Sequence, residues 1–161
     1  MLYRLYQPGD FAQLYAVEEL CFDPPFRFSR AYMRQLVDST NSATWIAEEE
    51  EKIAGFAIVQ WKKGRKSGAQ FAYIETVEVS PNHRGQGVGS ELMRLTEDSA
   101  RTAGAAAIWL HVDVENFAAI RLYESRGYAR QGREEHFYAR HRAAFVYAKP
   151  LTGISQLEPA P

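Results

Sequence analysis

The sequence has a single cysteine, Cys21, among 161 residues. No internal disulfide is available, so packing must hold the fold, and a reducing compartment is expected. No apolar run comes near the roughly 18 residues that a membrane span needs. Residues 1–10 lack the charged-then-apolar layout of a secretion signal. These absences predict a cytoplasmic protein with no membrane partner. The four histidines, His83, His111, His136 and His141, have no metal-ligand spacing, so no metal is expected. Neither sign of charge is in surplus: 19 Lys and Arg stand against 20 Asp and Glu, a net −1. That balance argues against a nucleic-acid partner, which draws on a basic surplus. There is no internal repeat, and no linker divides the chain.

What is present is a core. Hydrophobic residues make up 46% and charged residues 24%, the composition of a globular domain. The length suits one domain over residues 1–151. Residues 152–161, with Gly153, Pro159 and Pro161 and little periodicity, read as a loose C-terminal tail.

The pattern along the chain predicts a strand over residues 2–6. Pro8-Gly9-Asp10 then opens a helix to about residue 22, with Asp10 as N-cap. Leu14, Val17, Glu18 and Cys21 share one mostly apolar face of it. Asp23-Pro24-Pro25 ends that helix. Ser29 caps a second, in which Tyr32, Met33, Leu36 and Val37 recur at helical spacing. Strands over 44–48 and 53–61 flank an acidic hairpin tip, and 62–68 is a basic turn. A strand over 71–79 is stopped by Pro81. A glycine-rich turn leads into a helix to about residue 103, and 108–112 is a short buried strand. Asn116 caps a helix that ends at Gly127. Strands near 129–137 and 143–151 close the chain. The helix between strands 71–79 and 108–112 allows those two to run parallel. The fold class is therefore α/β: a mixed, mostly antiparallel sheet of about seven strands, with one parallel pair and about four flanking helices.

The turn carries the chemistry. Gly85, Gly87 and Gly89 fall at every second position just before a helix. The backbone itself must come close to something there, and the first helical N–H groups lack partners. Together with the helix dipole they make an anion site. Arg84 adds a planar cation suited to phosphate. A phosphate loop of the Gly-Lys-Ser/Thr kind is excluded, because those residues are missing. A Gly-x-Gly-x-x-Gly dinucleotide turn is excluded by the glycine spacing. A ligand-free turn into a helix remains the alternative.

The run Arg84-Gly85-Gln86-Gly87-Val88-Gly89, after a strand and before a helix, resembles the Arg/Gln-x-x-Gly-x-Gly/Ala motif of the GNAT family of N-acetyltransferases. The run Asn116-Phe117-Ala118-Ala119-Ile120-Arg121-Leu122-Tyr123-Glu124-Ser125-Arg126-Gly127-Tyr128 resembles the family's second motif. The element order is similar from residue 2 to 151. The resemblance implies direct transfer of an acetyl group from acetyl-CoA to a primary amine: a peptide N-terminus, a lysine or a small amine. It implies that the parallel strands splay. Backbone groups at Val77, Glu78 and Val79 would meet the pantetheine arm, with the Val79 amide polarising the thioester carbonyl. Amides from Arg84 to Gly89, with Ser90, would hold the pyrophosphate. Asn116, Ala119 and Tyr123 would complete the cofactor side, in a monomer or homodimer.

The resemblance also makes Tyr123 the acid that protonates the coenzyme A sulfur; its other reading is a packing aromatic. Strand alternation puts Tyr73, Glu75, Val77 and Val79 on one face, with Ile74, Thr76 and Glu78 on the other. A carboxylate in mid-strand is costly unless it is paired or faces a wet cleft. Glu75 therefore reads either as a group that holds or deprotonates the amine, or as half of a salt bridge. Within the family the chain resembles the ribosomal-protein alanine N-acetyltransferases, whose peptide-facing loop is similar to Cys21-Phe22-Asp23-Pro24-Pro25-Phe26. This makes Phe22, Phe26 and Phe28 candidate substrate contacts; Tyr138 is another, from the aromatic cluster Phe137, Tyr138, Phe145 and Tyr147 that reads as core and groove wall. Those enzymes carry a glutamate base where this chain has His111, in Trp109-Leu110-His111-Val112. An imidazole can serve as a base near neutral pH, so His111 is a candidate base or a core histidine. The alternative from another class is a non-catalytic acyl-CoA-binding module.

Overall fold

The computed structural model describes residues 1–65 and 68–152. The expected tail after residue 152, and residues 66 and 67 of the basic turn, lie outside the described residues. The chain runs β1 (Leu2–Leu5), a 3-10 turn (Pro8–Asp10), α1 (Phe11–Cys21), α2 (Arg30–Asp38), β2 (Ser42–Glu49), β3 (Lys52–Lys63) and β4 (Gln70–Val79). A second 3-10 turn (Pro81–His83) precedes α3 (Val88–Thr102), β5 (Ala107–Asp113), α4 (Phe117–Ser125), β6 (Ala129–Ala139) and β7 (Arg142–Pro150). The seven strands form one sheet in the order β1-β2-β3-β4-β5-β7-β6.

The helix starts follow from their side chains. Ser29 Oγ accepts the Tyr32 N–H at 3.1 Å, and Asn116 Oδ1 accepts the Ala119 N–H at 3.2 Å. Asp10 behaves differently from expectation. Its carboxylate accepts the Gln7 N–H at 2.7 Å and pairs with Arg4, so it closes the 3-10 turn and does not cap α1. After α4, Gly127 takes φ 89°, the left-handed turn that only glycine adopts freely.

Apolar side chains fill both faces of the sheet. On one, Met93 and Ala100 of α3 pack with Val59, Ala72, Ile74, Ile108 and Leu110. On the other, Phe11, Leu14, Met33 and Leu36 of α1 and α2 pack on Ile46, Phe56 and Ile58. Every strand contact is antiparallel except β4 with β5. That parallel pair is short: Ala72 opposes Ile108, Tyr73 opposes Trp109 and Ile74 opposes Leu110. Beyond these, β4 stays with β3 to Val79 and β5 stays with β7 to Asp113, so a slot opens between them.

A bulge sits at the mouth of that slot. Ile58 opposes Thr76 and Val59 opposes Ile74, which leaves Glu75 without a partner on β3. One extra residue reverses the alternation after it. Val77 and Val79 therefore pack toward α3, beside Val88 and Leu92. Glu75 meets Tyr32 of α2 and Glu78 meets Glu18 of α1, on the opposite side. This corrects the expected division: Glu75 does not share a face with Val77 and Val79, and Glu78 is on the side of Glu75.

Candidate active site

The turn before α3 is shaped by its glycines. Gly85 and Gly87 have φ 72° and 83°. A Cβ added to either would meet nothing within 4 Å, so the space above the turn is open. No side chain caps α3, and its first intrahelical bond runs from the Glu91 N–H to Gly87 O at 3.1 Å. The N–H groups of Val88, Gly89 and Ser90 are left for a ligand. Gly89 has another task. A Cβ there would stand 3.2 Å from Leu122 Cδ2, so its absence lets α4 close against α3.

A cavity of about 530 Å³ runs from this turn into the slot. Val77, Glu78 and Val79 line its strand side, Arg84, Gly85, Gly87, Val88, Gly89 and Ser90 its turn side, and Asn116 and Ala119 its α4 side. Of the expected cofactor residues, Gln86 and Tyr123 are absent from the lining. Gln86 turns its amide to Asn82 O at 3.1 Å. Cys21, Phe22, His83, Ala118 and Leu122 also line the cavity, so Phe22 lies on the cofactor side. The backbone of β4 is aimed into this space. The Ser80 N–H bonds Ala54 O at 2.8 Å, so the opposed pair Gly55–Val79 is a non-hydrogen-bonded one. The N–H and C=O of Val79, and by parity those of Val77, therefore point away from β3 into the slot. Arg84 bends back: its Nε donates to Val79 O at 2.9 Å. His83 is pinned by Ser80 Oγ at 2.7 Å and Glu49 Oε2 at 3.0 Å.

Tyr123 is buried in the cluster that includes Val77 and Ala119, with its ring 6.0 Å from that of Tyr128. Its hydroxyl makes no hydrogen bond among the described residues. Burial raises its pKa, so it keeps its proton.

The other side of the slot is walled by aromatic rings. The Tyr73 hydroxyl and His111 Nδ1 are 2.7 Å apart. The His111 ring stacks on Phe137 at 4.1 Å and 2°. Phe137 meets Tyr138 edge-on at 4.9 Å, and Tyr138 meets Phe26 in the same way at 4.9 Å. Phe28 packs on Tyr32 at 5.1 Å. His111 Nε2 is 3.2 Å from Glu134 Oε1, but it is buried and off the hydrogen-bond angle. The Tyr32 hydroxyl donates to Glu75 Oε2 at 3.4 Å. Burial raises the Glu75 carboxyl above its ordinary range, against the pull of Lys62 and Tyr32.

Residues 11–128 match the model of the acetyltransferase (GNAT) family. The chain belongs to that family. Among its GNAT relatives is streptothricin acetyltransferase of Streptomyces lavendulae, 37% identical over 63% of this chain and 52% of that protein. The chain thus spans about half the length of that relative. N-alpha-acetyltransferase 30 of Schizosaccharomyces pombe is 27% identical over 74% of this chain and 79% of that protein. In fold, the chain is similar to the ribosomal-protein-S18-alanine N-acetyltransferase from Escherichia coli, with TM-score 0.80 and 24% identity over 98% of each chain. Arabidopsis thaliana NAA60 in complex with acetyl-CoA gives TM-score 0.81 and 20% identity, over 92% of this chain and 97% of that one. The GNAT motifs thus land on the cavity. Glu75, His111, Phe26 and Tyr138 gather in one cluster with Tyr73 and Phe137, outside the residues that line the cavity, while Phe28 leans on the α1–α2 core. Sequence reasoning did not place Tyr32, Tyr73 or Glu134 in the site. Tyr73 had one signal, its position two residues before Glu75 on the same strand.

Proposed function

We propose that the chain is an acetyl-CoA-dependent N-acetyltransferase whose acceptor is the α-amine of a peptide or protein N-terminus. The observation that carries the acceptor assignment is the Tyr73–His111 pair, 2.7 Å apart in an aromatic-walled slot. Coenzyme A fits the donor side. The unpaired N–H groups at the start of α3 and the open space over Gly85 and Gly87 suit a pyrophosphate. The free edge of β4 suits an amide-bearing arm, which would bond it as an added strand.

When bound, acetyl-CoA supplies a thioester whose carbonyl carbon is the electrophile. The Val79 N–H points into the slot, where it can donate to the carbonyl oxygen as negative charge develops. The Tyr73–His111 pair accepts the proton that the amine must lose. Tyr123, whose pKa is raised, donates a proton to the departing sulfur. One N–C bond forms, one C–S bond breaks, and the net proton moves from nitrogen to sulfur. Phe26, Phe137 and Tyr138 exclude water and give a flat surface for a peptide's first residues.

Two features of the sequence support a peptide acceptor: the loop before Ser29 and the similarity to N-alpha-acetyltransferase 30. A second reading, a small polyamine, is favoured by the carboxylates of Glu75 and Glu134 and by the streptothricin acetyltransferase relative. The test is a panel of free and N-blocked peptides beside small amines, with acetyl-CoA and thiol release as readout. Free N-terminal peptides are expected to turn over and N-blocked ones to fail. Turnover of small amines alone would overturn the peptide assignment.

A further inference from the structure

Two carboxyl groups that take no part in the steps above are buried against each other. Glu18 of α1 is 0% exposed and Glu78 of β4 is 2% exposed. One oxygen of each is engaged. Glu18 Oε1 accepts the Phe28 N–H at 2.6 Å, and Glu78 Oε1 accepts the Thr76 hydroxyl at 2.8 Å. The remaining oxygen of each, Oε2 in both, is sealed from solvent with no donor. The two carboxyl groups lie close enough to interact, where α1 packs on β4. Other groups facing the pair are Cys21 from α1 and Tyr123 from α4, neither of them a cation. Arg84, beyond Cys21, gives its bonds to Val79 O and Cys21 Sγ. As two anions, the pair would combine like-charge repulsion with two unsatisfied buried acceptors. A single proton removes both penalties.

We propose that Glu78 is held as the neutral acid, donating its Oε2 hydroxyl to Glu18 Oε2, and that this bond fixes the loop over residues 22–29 against the strand that carries the slot. Glu18 grips the loop through the Phe28 N–H, and Tyr15 grips it again through Phe28 O at 2.8 Å. From that loop Phe22 reaches the cofactor cavity and Phe26 reaches Tyr138. Glu78 stands in the cavity wall between Val77 and Val79. Burial, reinforced by Glu18, pushes the Glu78 carboxyl well above its ordinary range. Both are positioning residues: they act on the acceptor through the loop. The kinetic part of this proposal rests on the acetyltransferase reading, and the proton itself does not.

The sign of the pH effect follows. The folded chain holds a proton that the unfolded chain releases above the ordinary value of 4.5. This contribution to stability is therefore full at acid pH and is lost as pH rises through the folded value. In Glu78→Gln the amide N–H replaces the donor and cannot ionise.

The first test is infrared spectroscopy of the whole chain at neutral pH. A protonated-carboxyl C=O band is expected that shifts in D2O and is missing in Glu78→Gln. The second is acceptor KM against pH. Amine ionisation is common to all variants, so it cancels in their ratio. Wild-type KM should rise about 10-fold relative to Glu78→Gln for each pH unit beyond the titration. Glu78→Ala should raise acceptor KM about 10-fold or more relative to Glu78→Gln at every pH. Absence of the band, or identical pH profiles for wild type and Glu78→Gln, would overturn the proposal. A chain inactive on every amine would refute the function instead, and the band would still decide whether the proton is there.

Discussion

In the proposed mechanism the Tyr123 hydroxyl matters to chemistry and little to stability. It has no hydrogen-bond partner among the described residues, so removing it leaves nothing unpaired. Tyr123→Phe is expected to lower kcat by about 100-fold or more, the usual contribution of a positioned acid. Acetyl-CoA affinity by calorimetry and the thermal midpoint should stay near wild type. Full activity under saturating substrate would remove Tyr123 from the mechanism. Glu75 makes the opposite case, because its charge is what an ammonium would meet. Its carboxyl is raised by burial, so the anion is lost as pH falls through that raised value. Glu75→Gln is expected to raise the KM of cationic acceptors about 10-fold and to abolish the acid-side rise in KM expected of wild type. The check is a KM profile across pH with one peptide, and an unchanged profile would count against any contact with the amine.

Strand β4 is the element on which the slot depends, and it shows where a period-two reading stops. Alternation describes Ala72, Tyr73 and Ile74 correctly. The unpaired Glu75 then shifts the register, and every later side chain lands on the other face. Such a bulge is set by how β3 pairs with β4, which no local pattern in residues 71–79 records. The start of α3 was legible for the reverse reason: glycine spacing and the missing cap are properties of the local chain. Gly55 on β3 holds the two strands close. A Cβ there would stand 2.5 Å from Glu78 O and 3.3 Å from Val79 Cα, both backbone atoms that cannot swing away. Gly55→Ala is expected to cost about 1–3 kcal/mol, as overpacking does, and to displace the residues that line the slot. Urea denaturation measures the first effect. The second predicts a loss of kcat/KM at temperatures where the variant is fully folded. Wild-type activity in a folded Gly55→Ala chain would show that the slot tolerates the shift.

On the scale of the whole molecule, the sheet is two parts that meet at three residue pairs between β4 and β5. Glu97 of α3 reinforces that junction from one side. It is 1% exposed and receives Arg126 Nη2 at 2.9 Å, Lys149 Nζ at 3.1 Å and the Tyr128 hydroxyl at 3.2 Å. Its partners lie 29 to 52 residues away along the chain, so Leu95-Thr96-Glu97-Asp98 reads locally as a solvated helix face. Burial raises this carboxyl, but Arg126 and Lys149 outweigh it and the net shift is downward. Its contribution is therefore present above the ordinary carboxylate range and lost as pH falls through the folded value. Glu97→Gln leaves two cations without their anion and is expected to cost about 3 kcal/mol near neutral pH, with the gap to wild type closing toward acid pH. Denaturant midpoints across pH would show it.

In the proposed placement acetyl-CoA acts on the same junction from the other side, because the cavity is walled by β4 and α3 on one part and by Asn116, Ala119 and Leu122 of α4 on the other. A ligand that bridges both parts binds the folded chain and not the unfolded one. At about 100 times its Kd it adds about 2.7 kcal/mol. For a domain of this size that is a rise of about 5–10 °C in Tm. Glu97 lies outside the cavity lining, so the same increment is expected in Glu97→Gln, superimposed on its lower Tm. Scanning calorimetry of both chains, with and without acetyl-CoA, measures all four values. A wild-type Tm that ignores acetyl-CoA would remove the glycine turn from the cofactor's path. A smaller increment in Glu97→Gln would mean that the buried carboxylate sets the geometry of the cavity as well as holding the two parts together.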